Sequence, residues 1–146
     1  MEAAAVAEAK GQPFSVRFTK RTDAFMEAEA KRQKRSKSSL VEEVAEEGAK
    51  VRRFPGIAFR GEWPYREPWI IGTGLDVWEL CEILDHYDGS IERTSDDYEG
   101  VDERACRLAL AYRREYPEEI AAAIAENNRS AEEWLALYPF IEYAGR

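Results

Sequence analysis

The chain has 146 residues, of which 45% are hydrophobic and 34% charged, enough for one ordinary domain or two very small ones. This composition excludes a chain that is disordered throughout, and no apolar run approaches the roughly 20 residues that a membrane span requires. The first residues are neither basic nor strongly apolar, so we predict no secretory signal and expect a cytoplasmic protein.

Charge is distributed unevenly, although the formal net charge is −8. Residues 1–53 hold 12 of the 21 basic and 9 of the 29 acidic side chains, a balance of +3 that leaves −11 for residues 54–146. Within residues 15–37 the balance is 8 basic to 3 acidic. A basic front and an acidic body indicate nucleic acid at one end and a different partner at the other.

Residues 1–12 are predicted to be a flexible arm, since they have no amphipathic face long enough to hold a helix. The next six residues alternate strictly, with period two, and predict a strand with one buried face. Its apolar and polar faces are Phe14, Val16 and Phe18 against Ser15, Arg17 and Thr19. Such a strand cannot be stable alone, and no second strand lies nearby in the sequence.

Two helices are predicted to follow this strand. The first runs from Thr22 or Asp23 to Gln33, and the second begins after Ser36 as N-cap, with a further capping-box pattern at Ser39. Apolar residues recur in the second helix at three- and four-residue spacing and predict its buried stripe. They are Leu40, Val41, Val44, Ala45, Gly48 and Val51.

The remainder is predicted to be mainly helical with a short hairpin, formed by strands at 57–60 and 69–71. Capping signals at Asp76, Ser90, Asp102 and Ser130 each predict a helix start. Pro117 is placed to begin a further helix, because a proline lacks only an N–H that the first turn leaves unbonded.

The strand–helix–helix of residues 13–53 resembles the ribbon-helix-helix family of bacterial repressors and antitoxins. A symmetric dimer would pair the two strands and bury both apolar faces. The resemblance implies that the paired strands enter the DNA major groove and that the start of the second helix holds a phosphate. The implied DNA contacts are Ser15, Arg17, Thr19, Lys20, Arg35, Ser36, Lys37 and Ser38.

Residues 54–127 carry a second resemblance. The run Trp-Ile-Ile-Gly-Thr-Gly-Leu-Asp-Val-Trp at 69–78, Asp-Tyr at 97–98 and Ala-Tyr at 111–112 resemble a family of small winged-helix, antitoxin-like domains. The acidic residues around its helix-turn-helix argue against DNA reading there, because phosphates repel them. A role in dimerisation or partner binding is therefore expected, with winged-helix DNA binding as the alternative.

Together the two resemblances point to a VapB-type antitoxin. This implies a dimer that binds its own operator DNA and neutralises a PIN-like ribonuclease toxin. Residues 128–146 are interpreted as a C-terminal helix and aromatic tail, because aromatic side chains favour both cores and interfaces. The candidate partner-binding residues are Trp134, Tyr138, Phe140 and Tyr143. Within this set Trp134 is expected to favour packing back on the domain, and Phe140 and Tyr143 to favour a partner.

The alternatives are a stand-alone repressor without a toxin and, in a different class, a small metal-dependent nuclease that uses Asp85, Asp88, Asp96 and Asp97. The spacing of these aspartates favours solvated helix ends, and His86 is interpreted as a helix-terminal residue. We therefore predict no enzymatic activity, cofactor, metal, small-molecule substrate or membrane partner.

Overall fold

The computed structural model describes residues 8–141; the first part of the predicted arm and Tyr143 lie outside this range. Within it, two short strands and seven helices follow one another along the chain. In chain order they are α1 (Lys20–Arg32), α2 (Lys37–Arg53), β1 (Ile57–Arg60), β2 (Glu67–Ile70), α3 (Val77–His86), α4 (Ile91–Asp97), α5 (Glu103–Glu115), α6 (Pro117–Asn127) and α7 (Ala131–Leu137).

The predicted class, mainly helical with short strands, is confirmed. The strands β1 and β2 pair as a small antiparallel sheet, and β2 begins two residues earlier than expected. The chain divides into two compact units, residues 1–67 and 68–146. We call them the N-terminal and C-terminal units; the sequence pattern predicts a division after residue 53.

The predicted strand at residues 14–19 is not formed in the single chain, where residues 8–19 are neither helix nor strand. A lone strand has no partner for its backbone groups, which is the physical reason for the difference. Helix α1 begins at Lys20, earlier than predicted, because Thr19 is its N-cap and accepts a hydrogen bond from the Thr22 N–H at 3.3 Å.

Helices α1 and α2 pack against each other across a tight turn in which Lys34 has a positive φ of 53°. The buried cluster between them contains Met26, Ala30 and Leu40, with Val41 packed against it. A cluster of this size supplies little of the burial that a domain requires. The predicted cap of α2 is confirmed, since Ser36 Oγ accepts from the Ser39 N–H at 3.1 Å.

The C-terminal unit has a much larger core, in which α3 packs on α5 and α6, and α4 packs on α5. Its fully buried apolar side chains come mainly from α3 and α5. They include Val77, Leu80, Cys81, Leu84, Cys106, Ala109, Tyr112 and Ile120. Both cysteines are free, and burial raises the pKa of the Cys81 thiol to about 11, so it stays protonated.

The capping residues and the first-turn proline in the sequence predict the starts of several helices in this unit correctly. Asp102 caps α5 by accepting from the Ala105 N–H at 2.8 Å, and α6 begins at Pro117. Ser130 and Glu133 form the capping box of α7, as predicted. None of the helices within residues 8–141 combines the length and apolar character that crossing a bilayer requires.

Candidate nucleic-acid interface

The residues expected to read DNA lie on the extended segment that precedes α1. Ser15, Arg17 and Lys20 are exposed, so their side chains are accessible to a ligand. Thr19 is also exposed, but its hydroxyl serves as the N-cap of α1 and contacts the Thr22 hydroxyl at 3.1 Å. A DNA contact from Thr19 would therefore compete with its cap bond.

The apolar side chains expected to be covered by strand pairing are open to solvent in the single chain. Phe14 is 88% exposed and Val16 58% exposed, whereas Phe18 is half-buried. The predicted stripe of α2 is only partly buried as well: Leu40 is covered, but Val44 is 41% exposed. The extended segment and α2 thus both leave part of their apolar faces exposed to solvent.

The turn before α2 carries the expected phosphate contacts, and the structure gives them different roles. Ser38 is exposed, and Ser36 is occupied as the cap of α2. Lys37 Nζ is bonded to Asp23 and lies 3.4 Å from Glu27 Oε1, both on α1. These carboxylates, the Asp23 hydrogen bond above all, raise the pKa of Lys37 above its ordinary value.

Arg35 is enclosed rather than available, with only 5% of its side chain exposed. Its guanidinium donates to the Ser39 carbonyl at 2.8 Å, pairs with Glu43 at 3.2 Å, and lies 4.4 Å from the centre of the Trp63 ring. A guanidinium that donates hydrogen bonds in its plane and packs against an aromatic ring stabilises the turn that holds it. The structure therefore places Arg35 in a packing role that the sequence pattern did not predict.

The loop between β1 and β2 supplies the cover over Arg35, and we call residues 61–66 the clasp loop. Besides Trp63, it contributes Glu62, which lies 3.4 Å from Arg32, and Arg66, whose Nε lies 2.7 Å from Glu47 Oε1 on α2. The loop thus contacts α1, the turn and α2, all within the N-terminal unit.

One backbone position makes the clasp loop possible. Gly61 has a φ of +98°, and a Cβ there would lie 2.7 Å from the Tyr65 carbonyl oxygen. Only glycine fits such a position without rearrangement. Arg66 also donates to the Gly61 carbonyl at 2.7 Å, which closes the loop on itself. The Gly/Pro-bearing composition signalled a loop here but gave no sign of what it covers.

A second network continues along the end of α1. Glu29 accepts hydrogen bonds from Arg32 Nε at 3.0 Å and from Gln33 Nε2 at 2.8 Å. These bonds, that from Arg32 first, lower the pKa of Glu29 to about 2. The basic segment at the end of α1 is therefore partly occupied by internal carboxylates, as Lys37 is.

In the C-terminal unit, α4 and α5 are consecutive helices joined by a short turn, as the predicted helix-turn-helix requires. The start of α5 is acidic, and Arg107 is paired with Glu103 at 3.0 Å. Arg113 makes a two-oxygen pair with Asp85 at 2.9 and 3.0 Å. Two of the cations on this helix are thus already paired with carboxylates of the same unit.

The aspartates considered for a nuclease are dispersed. Asp85 is held by Arg113, while Asp88, Asp96 and Asp97 are exposed. Across residues 8–141, no three His, Cys, Asp or Glu side chains are grouped so that they could hold a metal ion. The described part of the chain therefore gives the nuclease alternative no geometric support.

The C-terminal aromatic residues contact one another. Trp134 stacks on Tyr138 with ring centres 5.9 Å apart, and Tyr138 meets Phe140 edge-on at 6.0 Å. Helix α7 has no buried residue, and Phe140 is 81% exposed. Trp134, expected to pack on the domain, is half-buried and contacts Arg129, whose guanidinium lies 5.8 Å from its ring centre.

Comparisons with protein-family models, with curated proteins and with solved structures found no match to this chain. The resemblances to ribbon-helix-helix and winged-helix antitoxin-like families therefore depend on the sequence patterns given above.

Proposed function

We propose that this protein is a dimeric, non-enzymatic DNA-binding antitoxin whose N-terminal unit binds operator DNA. The carrying observation is the uncovered apolar surface of that unit. In the segment that runs to the end of α2, Phe14, Phe25 and Val16 are 88, 62 and 58% exposed, and Val44 and Val51 are 41 and 38% exposed. A second copy would cover such surface and supply the partner strand that residues 14–19 lack.

Exposed basic and polar side chains on the extended segment and at the start of α2 favour a nucleic-acid ligand. Arg17 and Lys20 are exposed on the extended segment, and the start of α2 presents Ser38. When two such segments pair, one face of the resulting ribbon carries Ser15 and Arg17 towards the DNA, since alternate side chains share a face. Arg17 is the residue best suited to recognise a guanine, because its guanidinium can bond O6 and N7 together.

The proposed toxin partner would bind through the C-terminal unit. That unit holds most of the acidic residues, and its described end presents Tyr138 and Phe140 to solvent. An acidic surface steers association with a basic ribonuclease, and exposed aromatic side chains provide anchoring contacts. A PIN-like ribonuclease remains the expected partner from the sequence resemblance, and a cytoplasmic location remains the expected compartment.

The principal experiment compares Arg17→Ala with the wild-type chain on the DNA upstream of its own coding sequence. We expect Arg17→Ala to weaken binding to this DNA by about 1–3 kcal/mol while leaving binding to unrelated duplex little changed. Ser15→Ala is a matched control on the same face, with a smaller expected effect. Equal affinity of Arg17→Ala and wild type in a mobility-shift titration would contradict the ribbon assignment.

A second experiment tests the dimer. Val44→Asp places a charge on the exposed stripe of α2, where it costs little in a single chain but is buried when a second copy covers the stripe. We expect sedimentation to show a dimer for wild type and a monomer for Val44→Asp. Glu46→Gln, on the same helix, is the control that should stay dimeric. A wild-type monomer at all concentrations would refute the proposal.

A stand-alone repressor would differ from the proposed antitoxin only in having no toxin partner. Co-expression with the neighbouring open reading frame separates the two functions. If that frame encodes a PIN-like protein, co-purification and suppression of its ribonuclease activity are expected of an antitoxin. A dimer that binds operator DNA but leaves the ribonuclease active would favour the repressor.

A further inference from the structure

We propose that Asp23 and Glu27 form an internal phosphate mimic that holds Lys37 and competes with DNA for it. This inference concerns the regulation of the proposed DNA site and rests on the proposed function. It would make phosphate binding an exchange reaction, in which a DNA phosphate displaces two carboxylates of the same chain.

The geometry comes from the first residue of α2 and two acidic residues in the first half of α1. Asp23 and Glu27 are four residues apart on α1 and therefore share one face of that helix. Lys37 is the first residue of α2, and its Nζ is bonded to Asp23 and lies 3.4 Å from Glu27. Two carboxylates around one ammonium group provide the anionic oxygens that a phosphate would otherwise supply.

The two residues before Lys37 are already engaged in other contacts, so they cannot readily replace it as a phosphate contact. Arg35 is enclosed by Glu43, Ser39 and Trp63, so it cannot replace Lys37 without breaking that packing. Ser36 is engaged as the cap of α2. Lys37 is therefore a cation at the start of α2 that can exchange partners, and it remains 38% exposed while paired.

The ion pairs of Lys37 with Asp23 and Glu27 are weak enough to be exchanged for a DNA phosphate. Asp23 and Glu27 side chains are 43 and 65% exposed, so solvent screens both pairs. Exposed ion pairs of this kind contribute little to stability, so DNA phosphates can overcome them. The expected effect of releasing Lys37 is thus a modest gain in DNA affinity rather than an all-or-none switch.

The test is a double-mutant cycle with Asp23→Asn and Lys37→Gln, using a fluorescent duplex of arbitrary sequence at low salt. Phosphate contacts are independent of base sequence, so this probe does not require the operator. Asp23→Asn should raise affinity about two- to fivefold, which corresponds to the range for an exposed pair. Lys37→Gln should lower affinity and reduce the salt dependence by about one phosphate contact.

The cycle separates competition from general repulsion between DNA and an acidic side chain. If Asp23 acts by holding Lys37, the gain from Asp23→Asn should be smaller in the Lys37→Gln background. An equal or larger gain there would overturn the inference. Asp96→Asn, which removes an exposed carboxylate from the C-terminal unit, is the charge-matched control and should leave DNA affinity nearly unchanged.

The possible failures are distinguishable. If the wild-type chain does not bind duplex DNA at low salt, the proposed function fails and the inference fails with it. If wild type binds DNA but Asp23→Asn has no effect, or Lys37→Gln binds as well as wild type, the inference alone is overturned. Circular dichroism of each variant should match wild type, and Glu27→Gln provides a second probe of the same contact with a smaller expected gain.

Discussion

In the C-terminal unit the side chains that meet between helices are almost all apolar, whereas in the N-terminal unit the small buried cluster between α1 and α2 is surrounded by ion pairs. Leu80, Leu84 and Tyr112 are fully buried in the former, while Met26 and Leu40 carry most of the burial between α1 and α2. Burial of apolar surface is the main stabilising contribution to folding, and exposed ion pairs add little.

The difference leads us to expect that the stability of the N-terminal unit depends on contacts with a second copy more than that of the C-terminal unit does. The C-terminal unit has the larger buried apolar core, and we expect it to be stable on its own. Among the described residues no buried side-chain polar atom lacks a hydrogen-bond partner, and Thr94 donates to the Ser90 carbonyl at 2.8 Å. The N-terminal unit relies on the clasp loop and leaves Phe14 and Val44 uncovered. We expect its stability to depend on protein concentration, as that of an obligate dimer does.

The largest expected effect is in the core of the C-terminal unit. Leu84→Ala removes a fully buried side chain of α3 and should lower the free energy of unfolding by about 2–5 kcal/mol. Denaturant unfolding followed by tryptophan fluorescence measures this loss. His86→Ala, an exposed position on the same helix, is the control and should change stability by less than about 0.5 kcal/mol. A small loss for Leu84→Ala would remove the contrast between the units.

A smaller effect is expected from the clasp loop. Trp63→Ala uncovers the Arg35 guanidinium and should cost the N-terminal unit about 0.5–2 kcal/mol, the range for a cation–π contact from exposed to desolvated. Hydrogen exchange of the α1 and α2 amides reports this loss. Tyr65→Ala, in the same loop but with a ring that is 82% exposed, should leave exchange unchanged. Similar effects of both substitutions would show that Trp63 has no special role.

A hydrogen bond in the C-terminal unit gives an effect of about 0.5–1.5 kcal/mol. Tyr112→Phe removes the hydroxyl that donates to Glu119 Oε1 at 2.8 Å and keeps the buried ring. Thermal unfolding should detect the lower stability. Glu119→Gln retains an acceptor oxygen and should be closer to wild type. The hydroxyl would be dispensable if Tyr112→Phe unfolded at the wild-type temperature.

The smallest effect concerns the titration of Glu29. Its pKa of about 2 lies below the ordinary 4.5, so its pairing with Arg32 stabilises the folded chain above pH 4.5 and is lost as the pH falls towards 2. Arg32→Gln should move the pKa back towards 4.5, as measured by carboxyl chemical shifts in NMR. Gln33→Ala should give a smaller upward change. An unchanged Glu29 pKa in Arg32→Gln would assign the low value to another cause.

Local chemistry in the sequence determined much of the helical framework. Serine and aspartate caps at Ser36, Asp102 and Ser130, with Pro117 at a first turn, mark helix starts because they satisfy or remove the unbonded N–H groups there. Periodicity also separated the helical segments from the hairpin. The alternation at residues 14–19 predicted a strand, but strand formation requires a partner that the pattern cannot supply.

Only the tertiary structure decided which basic side chains remain available for a ligand. Arg35 and Lys37 are two residues apart and looked alike as phosphate contacts, yet one is enclosed beneath Trp63 and the other is held by Asp23 and Glu27. Caps and periodicity are local properties, whereas these contacts join residues 10 to 28 positions apart. Such pairings depend on how the helices and the clasp loop pack, which no short-range pattern encodes.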